Sequence, residues 1–399
     1  MTSKHAFSAP FLKLYTLTLL FFSSNAMLTV ILPLQSERLG ASNGHIGLIM
    51  GAYMFTCMFF RPYAGYLVHK HGPVRVLRIL LIVNGFALLL YILTGLEGYL
   101  AARVLQGVCT AFFSMALQMG IIDSLTEEQR SQGLSLYSLF TYFPSIIGPV
   151  FAIGIWEWSG MNGFAVITLV IALVTGLFGF SFPTNSMRPT NGASSEPPKM
   201  FEALKLVTRQ RSLQLCSFLM FTASVLFGAV TIYIPLYSLQ ITGGNAGIFL
   251  MIQAFIIVIV RLMSGKRIPS DGLWYAAFVG GIFLIGAAGA MLLALSQSWG
   301  LFAFYSAAIL IGIAQALLYP TLVSYLTFVL SGSSRNVLLG LFIAMADLGI
   351  SMGGMMMGPI ADRFSYSTMY ATGATFLIIS GCLAFLGGKI NNTMASEKF

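Results

Sequence analysis

Apolar residues run in blocks of about twenty along nearly the whole chain, separated by short polar turns. A helix needs about twenty apolar residues to cross a hydrocarbon core of about 30 Å. The blocks fall at 11–33, 45–68, 75–95, 98–121, 134–158, 163–183, 212–238, 245–265, 273–295, 299–322, 335–358 and 367–388. A β-barrel would instead alternate apolar and polar positions over segments of about ten residues. The pattern therefore predicts an all-α polytopic membrane protein with twelve transmembrane helices. All connections but one are short. The exception, 184–211, carries Pro189, Gly192, Ser194, Ser195, Pro197 and Pro198 with Arg188, Lys199, Lys205, Arg209 and Arg211. It reads as a polar linker between two six-helix bundles, 1–183 and 212–399, with a short amphipathic helix expected around 200–207.

Composition rules out the soluble alternative. Charged residues make up 8% of the 399 and apolar ones 57%, against roughly 25% charged in an ordinary globular domain. The mean hydropathy is +0.86. The first apolar block is followed by Pro33 and Glu37-Arg38, with no small-residue cleavage site, so it is expected to be a retained helix and not a signal peptide.

Charge sets the orientation. Basic residues gather in the even-numbered connections: Lys70, Arg75, Arg78, Arg130, the linker cluster, Lys266, Arg267 and Arg335. Lys4, Lys13, Lys389 and Lys398 flank the first and last blocks, whereas the odd-numbered connections hold only Arg38 and Arg363. Both termini and the linker are thus expected on the cytoplasmic side of a bacterial inner or plasma membrane. The net charge of +9 lies against an anionic leaflet and calls for no nucleic-acid partner. The four cysteines sit singly inside apolar blocks, and none of the four histidines lies at a block's centre. His69 and His71 have no carboxylate near them in sequence, so no metal site and no cofactor is expected.

The halves carry the marks of an internal duplication. Leu32-Pro33-Leu34 closes the first block and Ile234-Pro235-Leu236 the seventh. Arg61 and Gly65 end the second, Arg261 and Gly265 the eighth. Gly148-Pro149 lies in the fifth and Gly358-Pro359 in the eleventh. After the second block runs Gly65-Tyr66-Leu67-Val68-His69-Lys70-His71-Gly72-Pro73-Val74-Arg75. It resembles the loop between helices two and three of the major facilitator superfamily, Gly-x-Leu-x-Asp-Arg-x-Gly, with Gly65, Leu67, Lys70 and Gly72 matching and His69 in place of the family Asp. Arg103-Val104-Leu105-Gln106-Gly107 is similar to the superfamily's helix-four Arg motif, often linked to proton coupling. Gly148-Pro149, with Gly154 beyond, looks like part of the helix-five antiporter motif. The resemblance implies two parallel halves with a substrate site at their interface, and no cofactor beyond a proton gradient.

A narrower resemblance rests on Gly95-Leu96-Glu97-Gly98-Tyr99, on Arg103 to Ser114, on Ile268-Pro269-Ser270-Asp271-Gly272 and on Ala346-Asp347-Leu348-Gly349-Ile350-Ser351. These stretches look like bacterial exporters of staphylopine-type opine metallophores, zwitterions released to capture metal outside the cell. The resemblance, and not composition, implies a small-molecule opine partner and the direction of transport.

Ionisable groups within the blocks are the candidates for chemistry. Of twelve acidic residues, Asp347 falls near the middle of a span. An ionised carboxylate there costs about 2.5–3.5 kcal/mol; it must face a cavity, pair with a cation or hold a proton. Arg103 either faces the interior or snorkels to the outer headgroups. Arg61 and Arg261 either bind substrate carboxylates or anchor to the inner interface. Asn25, Tyr53, Gln118, Tyr137, Tyr142, Gln253, Gln315, Tyr319 and Ser324 can line a cavity or serve as interhelical glue. Gly65, Lys70, Gly72, Gly107, Gly148 and Pro149 are the expected conformational positions; Pro149 either pivots the helix or sets a static kink. Adjacent residues Met355, Met356 and Met357 point to different helix faces and make no copper site.

No phosphate-binding Gly-x4-Gly-Lys-Ser/Thr loop is present, so ATP is not the direct driver. No His, Asp and Ser stand at catalytic spacing, so an enzyme is not expected. The leading expectation is a monomeric, proton-driven exporter of a metal-free opine metallophore. Its alternatives are a multidrug efflux transporter, an organic-anion symporter and a non-transporting membrane receptor.

Overall fold

The computed structural model describes residues 8–125, 127–180, 210–264, 268–269, 271–330 and 335–396. The expected linker helix at 200–207 and most of the linker lie outside them. Ten α-helices are present among the described residues, with no strand. They are α1 (Ala9–Arg38), α2 (Asn43–His71), α3 (Pro73–Leu93), α4 (Leu96–Ser124), α5 (Glu127–Phe180), α6 (Arg211–Tyr237), α7 (Ala246–Ser264), α8 (Ala276–Val329), α9 (Arg335–Arg363) and α10 (Tyr366–Ser396). Nine of the described helices are long and apolar enough to cross a membrane. The tenth, α2, is 29 residues long but carries Arg61 and Pro62 in its apolar stretch.

Two helices exceed any single crossing. At 54 residues each, α5 and α8 would run about 80 Å if straight, against a core of about 30 Å. Each breaks at one glycine: Gly160 (φ 55°, ψ −140°) in α5 and Gly300 (φ 68°, ψ −154°) in α8. A side chain is strained at such positive φ, which is why the break falls on glycine. The sequence predicts connections at 159–162 and 296–298; the chain needs only one residue. The expected loop from Gly65 to Arg75 contracts in the same way. Helix α2 runs on through His71, Gly72 turns at φ 83° and α3 starts at Pro73. The Gly72 amide donates to the Val68 carbonyl at 2.9 Å, and proline at the first helical position needs no amide partner.

The chain divides into two compact units. The described part of the first holds α1, α2 from Ala52 onward, α3, α4 and α5. Its core takes Phe11, Leu14, Tyr15, Leu17 and Phe21 from α1, Leu77, Leu80 and Leu81 from α3, and Phe113, Ala116, Leu117 and Ile121 from α4. The recurrence at three and four residues puts each set on one helix face. Phe21 stacks on Phe113 with ring centroids 3.8 Å apart.

The second unit holds residues 42–51, the opening turns of α2, with α6 to α10. Helix α6 is its centre: nearly every residue from Ala223 to Tyr237 is buried. Small residues let α9 lie against it. A Cβ on Gly349 would come 2.6 Å from the Phe221 carbonyl, and one on Gly228 would overlap the Ile350 carbonyl. In a bilayer such close backbone packing, rather than exclusion of water, holds helices together.

Candidate functional site

Three of the predicted site residues meet in the first unit. Arg103, on α4, is 1% exposed. Its Nη1 donates to Asn25 Oδ1 on α1 at 2.9 Å. Asn25 Nδ2 donates to the Tyr53 hydroxyl on α2 at 3.1 Å, and that hydroxyl donates to Thr110 Oγ1 on α4 at 3.0 Å. The guanidinium also lies over the Tyr53 ring, 5.4 Å from its centroid, a cation–π contact strengthened by desolvation. Gly107 makes this possible: a Cβ there would overlap the Tyr53 carbonyl, so glycine lets α2 reach α4. One turn from Arg103, Gln106 is buried and accepts from the Tyr91 hydroxyl at 2.6 Å. Thr110, Gln106 and Tyr91 were not singled out from sequence. Gln106 and Thr110 follow Arg103 on α4 at intervals of three and four residues, a spacing that puts them on its face; Tyr91, on α3, carries no such signal.

The other predicted residues of this unit make contacts of their own. The Arg61 guanidinium contacts Cys57 Sγ at 3.5 Å, one turn earlier on α2. Gln118 interacts with Tyr137. Tyr142 is 40% exposed. Gly65 faces Met115, and Lys70 lies over the Tyr66 ring at 5.9 Å. A Cβ on Gly148 would sit 2.8 Å from that of Ala26, so the glycine before buried Pro149 brings α5 against α1.

In the second unit Asp347 is 8% exposed, near the middle of α9. One turn further, Ser351 Oγ donates to the Gly51 carbonyl at 2.9 Å. Gln253 Nε2, on α7, donates to Gln315 Oε1 on α8 at 3.0 Å. The Tyr319 ring sits 6.1 Å from Phe342. Arg261 is half-buried in the last turn of α7. Ser324 Oγ donates to the Pro269 carbonyl at 3.0 Å. Among the described residues no three His, Cys, Asp or Glu side chains group to hold a metal ion.

A buried guanidinium and a buried carboxylate on long apolar helices are costly features, retained where polar solutes or protons are handled. They define a multi-pass membrane protein of transporter type. The sequence profile of the Major Facilitator Superfamily matches residues 14–354. The chain is 48% identical to the staphylopine export protein of Staphylococcus aureus (strain Mu50 / ATCC 700699) over 387 residues, covering 96% of this chain and 97% of that protein. It is 22% identical to the uncharacterized MFS-type transporter YhhS of Escherichia coli (strain K12), covering 92% and 91%. Among solved structures, a bacterial homolog of the human lysosomal transporter Spinster, inward-facing and unoccupied, superposes with a TM-score of 0.76 at 16% identity, covering 95% and 96%. The nucleoside transporter NupG also gives 0.76 at 16%, covering 94% and 98%. These two show the fold. The chain belongs to the Major Facilitator Superfamily. It is a secondary active transporter and not an enzyme.

Proposed function

We propose that this protein exports a metal-free, staphylopine-like opine metallophore from the cytoplasm by proton antiport. The observation that carries the reading is the 48% identity, over 96% of the chain, to a staphylopine export protein. The chemistry agrees with it. An opine of this class bears carboxylates and amines; Arg103 offers a buried cation for the former, Asp347 a buried anion for the latter or for the coupled proton. Gln253 and Gln315 add neutral donors and acceptors.

Twelve crossings in two six-helix bundles, 1–183 and 212–399 joined by 184–211, belong to the same proposal. What supports them is the ten helices with α5 and α8 each turned at a glycine. The excess of Lys and Arg in even-numbered connections supports cytoplasmic termini in a bacterial inner or plasma membrane. We take the working unit to be a monomer.

The test is metabolite export. Cells with and without the gene are compared by mass spectrometry for opine in medium and cytosol. Deletion should deplete the medium and load the cytosol. Unchanged levels in both compartments would remove the substrate assignment.

A further inference from the structure

The hydrogen bonds around Arg103 have a direction, and it ends on a residue with no role so far. A guanidinium can only donate. The Asn25 atom facing it at 2.9 Å is therefore the carbonyl oxygen. That turns the Asn25 amide nitrogen, also only a donor, toward the Tyr53 hydroxyl at 3.1 Å. The hydroxyl oxygen accepts, so its single proton must go elsewhere, and Thr110 Oγ1 stands 3.0 Å away. Arg103, Tyr53 and Thr110 are 1%, 6% and 8% exposed, so bulk water is a poor substitute for any of these partners. Thr110 lies about two turns beyond Arg103 on the same helix. Gly107, between them, admits the α2 backbone.

We propose that Thr110 is a positioning residue for the Arg103 cation, acting through Tyr53 and Asn25. By taking the Tyr53 proton it leaves the hydroxyl oxygen to accept from Asn25, which holds the amide with its oxygen toward Arg103. Without it, the Tyr53 proton turns back on Asn25 and competes with Arg103 for the amide oxygen. The cation then holds Asn25 Oδ1 less firmly and shifts from its place over the Tyr53 ring. This role rests on the reading of Arg103 as a site for a substrate carboxylate.

The experiment measures staphylopine uptake into inside-out membrane vesicles. Thr110→Val keeps the shape and removes the hydroxyl. It should raise KM about tenfold, the scale of one charge-assisted hydrogen bond, with maximal rate changed less than about twofold. Thr110→Ser should restore KM, and Tyr53→Phe should behave as Thr110→Val does. An unchanged KM in Thr110→Val, beside a raised one in Arg103→Lys, overturns the assignment. If Arg103→Lys also leaves KM unchanged, the carboxylate reading fails instead. The positioning role is then decided by thermal melting of purified protein: Asn25→Ala and Thr110→Val must be non-additive, and additive losses overturn it.

Discussion

Asn43 and Asp362, 319 positions apart, meet at the start of α2. Asp362 Oδ1 accepts from the Asn43 backbone amide at 2.8 Å and from Asn43 Nδ2 at 2.9 Å, while Oδ2 accepts from the Gly44 amide at 2.8 Å. Asn43 Oδ1 accepts from the Tyr366 hydroxyl at 2.6 Å. The Tyr233 hydroxyl lies 2.9 Å from the Asn43 carbonyl and 2.7 Å from that of Gly354. The first amides of a helix have no partner within it and carry its positive pole; here a carboxylate from the last turn of α9 satisfies those of Asn43 and Gly44, and Ser42 Oγ takes that of His45 at 3.2 Å.

Removing that carboxylate should loosen the opening of α2. Asp362→Ala is expected to cost about 1 kcal/mol, as loss of a helix cap does. Amide exchange at 43–47 should then quicken about fivefold. Asp362→Asn keeps an accepting oxygen and should fall between the two. Exchange at 43–47 equal to wild type in Asp362→Ala would show that the cap contributes nothing.

The glycines behind this cap set a second expectation. A Cβ on Gly354 would meet the Gly47 carbonyl at 2.6 Å and Ile232 Cδ1 at 2.8 Å; one on Gly47 would overlap the Gly354 carbonyl. Backbone cannot yield as a side chain does, so Gly354→Ala should destabilise by about 1–3 kcal/mol. Gly85→Ala, where nothing lies within 4 Å, should be neutral or stabilising by up to about 1 kcal/mol. Melting of the two purified variants separates them, and equal midpoints would refute the close-packing account.

Hydrophobic length made the helices readable, because about twenty apolar residues in a row have few other fates. Where two helices meet across a single residue, at Gly160 and Gly300, only the rough place of the break was readable, since one residue of positive φ suffices. Arg103, Asn25 and Tyr53 could each be named from a polar side chain inside an apolar run. That they form one chain could not, because α1, α2 and α4 bring them together from 28 to 78 positions apart. Thr110 was hidden further, since a threonine in a membrane helix usually bonds its own backbone, as Thr18 does to the Leu14 carbonyl at 2.9 Å. Asp362 read as one more acidic residue at a span end. Its partners are set by tertiary packing alone.

The loop before α8 carries a pH dependence. Asp271 Oδ2 accepts from the Tyr275 hydroxyl at 2.6 Å, and Oδ1 from the Leu273 amide at 3.0 Å. These two bonds, the tyrosine's first, hold the carboxyl below its ordinary range. A carboxyl held below its unfolded value supports the loop while ionised, and the support is lost as pH falls through the depressed value. The loop should therefore loosen only below about pH 4. Tyr275→Phe removes the larger cause and should move the loosening to higher pH. Trp274, 5% exposed with its Nε1 donating to the Ala384 carbonyl at 3.0 Å, reports it by fluorescence in a variant lacking the other tryptophans. Coincident titrations with and without Tyr275→Phe would exclude the mechanism.

Asp347 offers the sharpest test of coupling. It is buried in α9 one turn from Ser351, whose hydroxyl binds the Gly51 carbonyl at 2.9 Å. Asparagine there matches the shape and keeps one accepting oxygen, but can neither ionise nor carry a proton. Packing is thus preserved while the proton chemistry is removed. Asp347→Asn should reach the membrane at wild-type levels and melt within a few degrees of wild type, about 1 kcal/mol or less. In vesicles, a pH gradient should no longer drive staphylopine, while exchange of labelled for unlabelled staphylopine across the membrane persists. If Asp347 instead binds the substrate amine, exchange and driven transport fall together. Driven transport at the wild-type rate would exclude it from both roles, leaving a structural carboxylate.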